Sequence, residues 1–147
     1  MTPKVYVPVK TGKRNNQVEV SITVEDFKLI FSTQLRLEYD PNVLTFVRHE
    51  VTPTMTAISA PIVSHPVYGG IQMIRIVWSG VKPATLKNKS VLVKLIFKCA
   101  KTAGETILKW NNTAAGGHDC EFCTFTNTVI KLPDGPENYI NGKITVV

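Results

Sequence analysis

Apolar and polar residues alternate with a period of two in one stretch of this chain after another, and turn residues separate the stretches. Val18, Val20, Ile22 and Val24 alternate with Glu19, Ser21 and Thr23, which predicts a half-buried strand over residues 18–24 with the aliphatic side inward. Residues 31–39 repeat the pattern. Phe31, Thr33, Leu35, Leu37 and Tyr39 share one face, and Ser32, Gln34, Arg36 and Glu38 share the other. Asp40-Pro-Asn42 then turns the chain, because proline presets φ while Asp and Asn hydrogen-bond to nearby backbone. A short strand over residues 43–47 follows, with Leu44 and Phe46 inward. Residues 91–100 alternate again, with Val91, Val93, Leu95, Phe97 and Cys99 inward and Lys94, Ile96 and Lys98 outward.

The remaining segments fit the same scheme. Residues 5–9 alternate around Pro8, which suits an edge strand because proline cannot donate to a ladder. Residues 71–78, 106–110, 122–132 and 142–147 read as further strands. Residues 11–17, 80–89, 111–119 and 133–136 read as turns and polar connections, and residues 51–70 as an irregular strand and a loop ending at Gly69-Gly70. Residues 24–29 have room for no more than a helical turn. About nine strands at this spacing, without a 3.6-residue period or an internal repeat, predict an all-β sandwich or barrel forming a single domain over residues 1–147.

Composition agrees with that prediction. Of 147 residues 44% are apolar, enough for one continuous core without support from metals or disulfides. No window of eighteen apolar residues exists, so no membrane insertion is expected. The start, Met1-Thr-Pro-Lys4, lacks the charged-then-apolar order of a signal peptide. A cytoplasmic protein and a module of a longer secreted polypeptide are both open on that ground. Strands that begin at Val5 and run to Val147 favour an excised module. The 17 Lys and Arg against 11 Asp and Glu give a net charge of +6, but the basic residues are scattered. Only Lys10-Thr-Gly-Lys-Arg14 and Lys87-Asn-Lys89 cluster, both in turns, which reads as solvated surface charge and not a nucleic-acid site.

The search for chemistry yields little. His49, His65 and His118 stand apart from any nucleophile motif, and no phosphate-binding glycine loop or metal-binding helix motif is present. Glu105, Asp119 and Glu121 are close in sequence, but a glycosidase pair must face each other about 5–9 Å apart across a sugar. Cys99 sits in an apolar strand and reads as a small buried hydrophobe. In His118-Asp-Cys-Glu-Phe-Cys123, the His and two Cys supply three potential zinc ligands, with Cys99 or Asp119 needed for a fourth. A lone Cys-x-x-Cys fits a local disulfide or free thiols at Cys120 and Cys123 better. No enzyme, cofactor or bound metal is therefore expected. Phe31, Tyr39, Phe46, Trp78, Phe97 and Trp110 fall on inward or strand-interior positions. Tyr6, Tyr68, Phe122, Phe125 and Tyr139 are left as candidates for exposure, too dispersed for the aromatic row of a sugar-binding surface.

The alternating strand followed by Tyr39-Asp-Pro-Asn-Val-Leu44 is similar to cohesin modules of bacterial and archaeal scaffolding proteins. Residues 18–24, 70–78 and 90–100, the Ala103-Gly104 turn, Thr106-Ile-Leu108 and the closing Asn141-Gly-Lys-Ile-Thr-Val146 follow in the family's order. The resemblance implies a jelly-roll β-sandwich of about nine strands, of the kind shared with carbohydrate-binding modules. It implies a non-catalytic, extracellular or cell-surface module, monomeric alone. Its partner would be a dockerin, a small helical module that carries its own calcium and is borne by enzymes or surface proteins. The family's docking face would be formed here by residues 31–39, 71–78, 91–100 and 122–132. Ser32 and Gln34 fall where well-studied members carry an Asn and an Asp, so the acidic charge is gone. The expected partner-binding residues are Ser32, Gln34, Arg36, Arg75, Lys94, Ile96 and Lys98, a basic face with Ile96 as its apolar centre and a partner of acidic or neutral polar character. A carbohydrate-binding module and a structural or adhesin spacer on the same sandwich are the alternatives.

Overall fold

The computed structural model describes residues 2–112 and 120–147. The chain runs through β1 (Lys4–Tyr6), β2 (Val9–Gly12), β3 (Gln17–Glu25), β4 (Ile30–Glu38) and β5 (Leu44–Glu50). A short helix, α1 (Pro53–Ile58), leads to β6 (Ile62–Ser64), β7 (Val67–Tyr68), β8 (Ile71–Ala84) and β9 (Ser90–Cys99). Then come β10 (Gly104–Trp110), β11 (Glu121–Thr126), β12 (Thr128–Lys131), β13 (Tyr139–Ile140) and β14 (Gly142–Val146). They form two sheets. One has the order β13-β1-β3-β9-β5. The other has the order β12-β11-β4-β10-β14-β2, with β8 on the second edge of β4 and β6 and β7 on β8. The fold is an all-β jelly-roll sandwich.

The core lies between the sheets and comes from the inward halves of the alternating strands. Val18, Val20, Ile22 and Val24 of β3 are buried against Leu35 and Leu37 of β4, Ile74, Ile76 and Trp78 of β8, and Val93, Leu95 and Phe97 of β9 within one apolar cluster. Aromatic edges fix its two ends. Phe27 meets Trp78 and Phe122 at 5.7 and 6.4 Å, and Tyr39 meets Phe97 at 5.1 Å, all in T-shaped contact. The indole nitrogens do not go unpaired: Trp78 donates to the Ser59 carbonyl at 2.9 Å and Trp110 to that of Ile140 at 3.1 Å.

The predicted edge strand over residues 5–9 is two strands in two sheets. Pro8 breaks it, so β1 pairs with β13 and β3 on one side while β2 pairs with β14 on the other. The closing segment passes so close to this crossover that a Cβ on Gly142 would lie 2.6 Å from the Val7 carbonyl oxygen, which leaves room only for glycine. Four other expectations need correction. Residues 51–70 contain α1, which starts because Thr52 caps the Met55 amide at 3.3 Å and Pro53 occupies the first turn. Residues 24–29 hold no helical turn; Asp26 and Leu29 take positive φ, with their amides held by Asn88 and Thr85. β8 extends through Gly80 to Ala84, beyond the predicted end of that strand. Residues 122–132 form a tight hairpin, β11 and β12, turning at Asn127 with φ of 65°.

Candidate partner-docking face

The outer face of the larger sheet is set by the alternation of β4. With Thr33, Leu35 and Leu37 committed to the interior, Ser32, Gln34, Arg36 and Glu38 must point away from it. The register of the neighbouring strands turns this column into rows. Ser32 lies between Cys123 of β11 and Ser79 of β8. Gln34 lies between Glu121 and Val77, and Val77 continues to Ile62 of β6. Arg36 lies directly opposite Arg75, which continues to Ser64. Four of the expected residues, Ser32, Gln34, Arg36 and Arg75, therefore share one surface.

Two arginines in register are the most unusual feature of this surface, because like charges directly opposite each other across strands repel. The Arg36 guanidinium is held over the ring of Tyr68, 4.4 Å from its centroid. Arg75 Nη2 donates a long hydrogen bond of 3.5 Å to Gln34 Oε1. The Nε atom of each arginine is buried and finds no hydrogen-bond acceptor among the described residues. Among the described residues the ion pairs are Arg48–Glu50, Lys94–Glu19 and Lys143–Glu105, so neither arginine pairs with a described carboxylate.

Apolar groups flank the pair on both sides. Ile62, next to Val77, is 71% exposed, and Tyr68 is partly exposed beside Arg36. At the other end Phe31 packs on Phe125 with ring centroids 5.2 Å apart, and Phe125 stays 45% exposed. Phe31 was expected to face inward. An irregularity in the β4–β8 ladder between Ile30 and Ser32 puts Ile30 in the core instead and frees Phe31 for the surface. Conversely Phe122 and Tyr139, expected as candidates for exposure, are buried and stacked at 5.8 Å. Tyr68 and Phe125, expected as candidates for exposure, are exposed, whereas Ile62 and Val77 are not singled out by sequence. One signal existed: Met73-Ile-Arg-Ile-Val-Trp78 is apolar on both faces, as expected of a strand covered on both sides.

Lys94, Ile96 and Lys98 do not belong to this surface. β9 is the central partner of β3 and β5 in the smaller sheet, so its outward residues look to the opposite side of the sandwich. Nor is Ile96 an exposed apolar centre. It is 4% exposed, lying between Glu19 and Arg48 of the adjacent strands. Lys94 is paired with Glu19 at 3.3 Å.

Cys99, Cys120 and Cys123 are all buried. Cys120 belongs to the core cluster, with its Sγ 3.4 Å from the Asn111 carbonyl oxygen, whereas Cys123 shares the outer row of Ser32. The two thiols thus lie on opposite faces of the sheet. Burial pushes the Cys123 thiol above its ordinary pKa, partly opposed by a hydrogen bond with Ser32. His118 and Asp119, considered as zinc ligands, lie outside the described residues. No helix among the described residues is long and apolar enough to cross a membrane.

A jelly-roll sandwich with a sheet face on which two arginines oppose each other, without a carboxylate partner among the described residues and beside exposed apolar side chains, has the form of a protein-docking module. Comparison with known proteins gives the family. The cohesin domain model matches residues 3–121, and the chain belongs to the cohesin family. Among solved structures, the third ScaC cohesin of Acetivibrio cellulolyticus, in complex with the ScaB dockerin, superposes with a TM-score of 0.74 at 16% identity, covering 99% of both chains. The seventh ScaB type I cohesin of Pseudobacteroides cellulosolvens gives 0.71 at 19% identity, covering 99% of this chain and 92% of that one. A non-cellulosomal cohesin from the archaeon Archaeoglobus fulgidus gives 0.65 at 17% identity, over 100% and 92%. No curated protein sequence matches the chain.

Proposed function

We propose that this module is a non-catalytic adaptor that binds a calcium-loaded dockerin through the outer face of β11, β4, β8 and β6, and so anchors a partner enzyme or surface protein outside the cell. Family membership supports the class of partner, and one solved relative is itself bound to a dockerin. The observation that carries the choice of face is the Arg36–Arg75 row between exposed apolar groups. Ser32, Gln34, Arg36 and Arg75 would supply the polar contacts, and Ile62, Val77 and Tyr68 the desolvated patch beside them. A four-strand face is large enough for the roughly 800 Å² per partner of a standard interface.

The same face argues against a sugar-binding role. One side of the Tyr68 ring is already occupied by the Arg36 guanidinium, and Phe31 and Phe125 turn toward each other, tilted by 34°. Neither arrangement offers the open row of planar faces a polysaccharide would need. Calorimetric titration with a panel of calcium-loaded dockerins, repeated with chelator, tests the proposal. One-to-one binding that chelation abolishes is the expected result. Silence across the panel, with retention on polysaccharide, would replace it by the carbohydrate reading.

A further inference from the structure

The Arg36–Arg75 row also specifies the chemistry of the partner. We infer that the two guanidiniums form a preset clamp for a carboxylate, so that the dockerin recognised here presents an Asp or Glu at the centre of its docking surface. The inference rests on the docking reading above and narrows it to partners of one kind.

Three observations lead there. First, the arginines are cross-strand neighbours with no carboxylate on either among the described residues, although Glu38 and Glu121 project from the same face. Placing two like charges in register costs stability in the free protein, and the cost is recovered only when a negative charge sits between them. Second, both guanidiniums are already oriented. Arg36 is held by the Tyr68 ring at 4.4 Å and Arg75 by Gln34 Oε1 at 3.5 Å, so little side-chain freedom remains to be lost on binding. Third, arginine presents planar, forked donors that match a carboxylate two bonds at a time, which lysine cannot do. The surrounding Ile62, Val77 and Tyr68 would exclude water from the pair and strengthen it.

The stability of the free module separates this role from a structural one. A pair kept for folding would destabilise when broken. A pair kept for a partner should be neutral or stabilising to remove, and deleterious only in the complex.

The test is to find the dockerin that binds the wild-type module, then measure R75Q, R75K and the double variant R36Q/R75Q against it, with thermal melts of each free protein. R75Q should melt no lower than wild type and bind at least about tenfold more weakly. R75K should not restore binding, because the charge alone is insufficient. Replacing the dockerin's central acidic residue by its amide should weaken wild-type binding and leave R36Q/R75Q binding unchanged. If the wild type binds a dockerin and R36Q/R75Q binds it equally well, the clamp is overturned while the docking reading stands. If no dockerin binds the wild type, the docking reading fails and the clamp falls with it.

Discussion

The two outer faces of this sandwich are made from the same kinds of residue but differ at their centres. On the smaller sheet two of the projecting cations meet carboxylates, Lys94 pairing with Glu19 at 3.3 Å and Arg48 with Glu50 at 3.1 Å, while Lys98 stands in solvent. Its outward isoleucine, Ile96, is buried between the flanking Glu19 and Arg48. On the larger sheet two arginines face each other, Ile62 and Phe125 are open to solvent, and glutamates are present without joining the arginines. A surface that leaves like charges opposed and apolar groups exposed is at its lowest free energy only when covered. The proposed docking on the second face rests on this contrast and not on the mere presence of lysines and arginines, which are common to both.

Substitutions on the two faces should therefore have separable effects. The largest is expected for I96D, which places an unpaired charge at a 4% exposed site and should cost about 3 kcal/mol, read as a lower denaturant midpoint, while folded protein binds its partner normally. Next comes I62D on the larger sheet. Being 71% exposed, Ile62 should tolerate aspartate with little change in Tm, but dockerin affinity should fall by about 2 kcal/mol in titration calorimetry. A smaller effect is expected for E19Q. An exposed ion pair contributes about 0.2–1 kcal/mol, so Tm should drop slightly and affinity should not change. The smallest concerns Cys123. Its burial and raised pKa keep the thiolate scarce, so alkylation of the native protein at neutral pH should be slow and should accelerate on unfolding, followed by mass spectrometry.

These contrasts also mark what could be read from the chain. The alternation in residues 18–24 and 31–39 identifies two strands and their inward sides, and hence places Ser32, Gln34 and Arg36 on a surface. Alternation carries no information about which strands are neighbours. Residues 91–100 look equally at home in either sheet, and only the long-range pairing of β9 with β3 and β5 assigns Lys94, Ile96 and Lys98 to the far side. The near-continuous run Leu92-Val-Lys-Leu-Ile-Phe97 did carry a hint, since a strand central in its sheet tolerates apolar residues on both faces. Ile62 escaped notice because it sits in a three-residue strand between Pro61 and Pro66, too short to show a period. Phe31 escaped because a single irregularity shifts its phase, a feature set by packing against β8.

The central claim is that one face docks and the other does not. Amide and methyl chemical-shift mapping of the module, with and without a calcium-loaded dockerin that binds it, tests this directly. The account predicts perturbations at Ser32, Gln34, Arg36, Ile62, Arg75 and Val77, with Lys94, Ile96 and Lys98 unmoved. Perturbations centred on Lys94, Ile96 and Lys98, with the Arg36–Arg75 row unaffected, would contradict it.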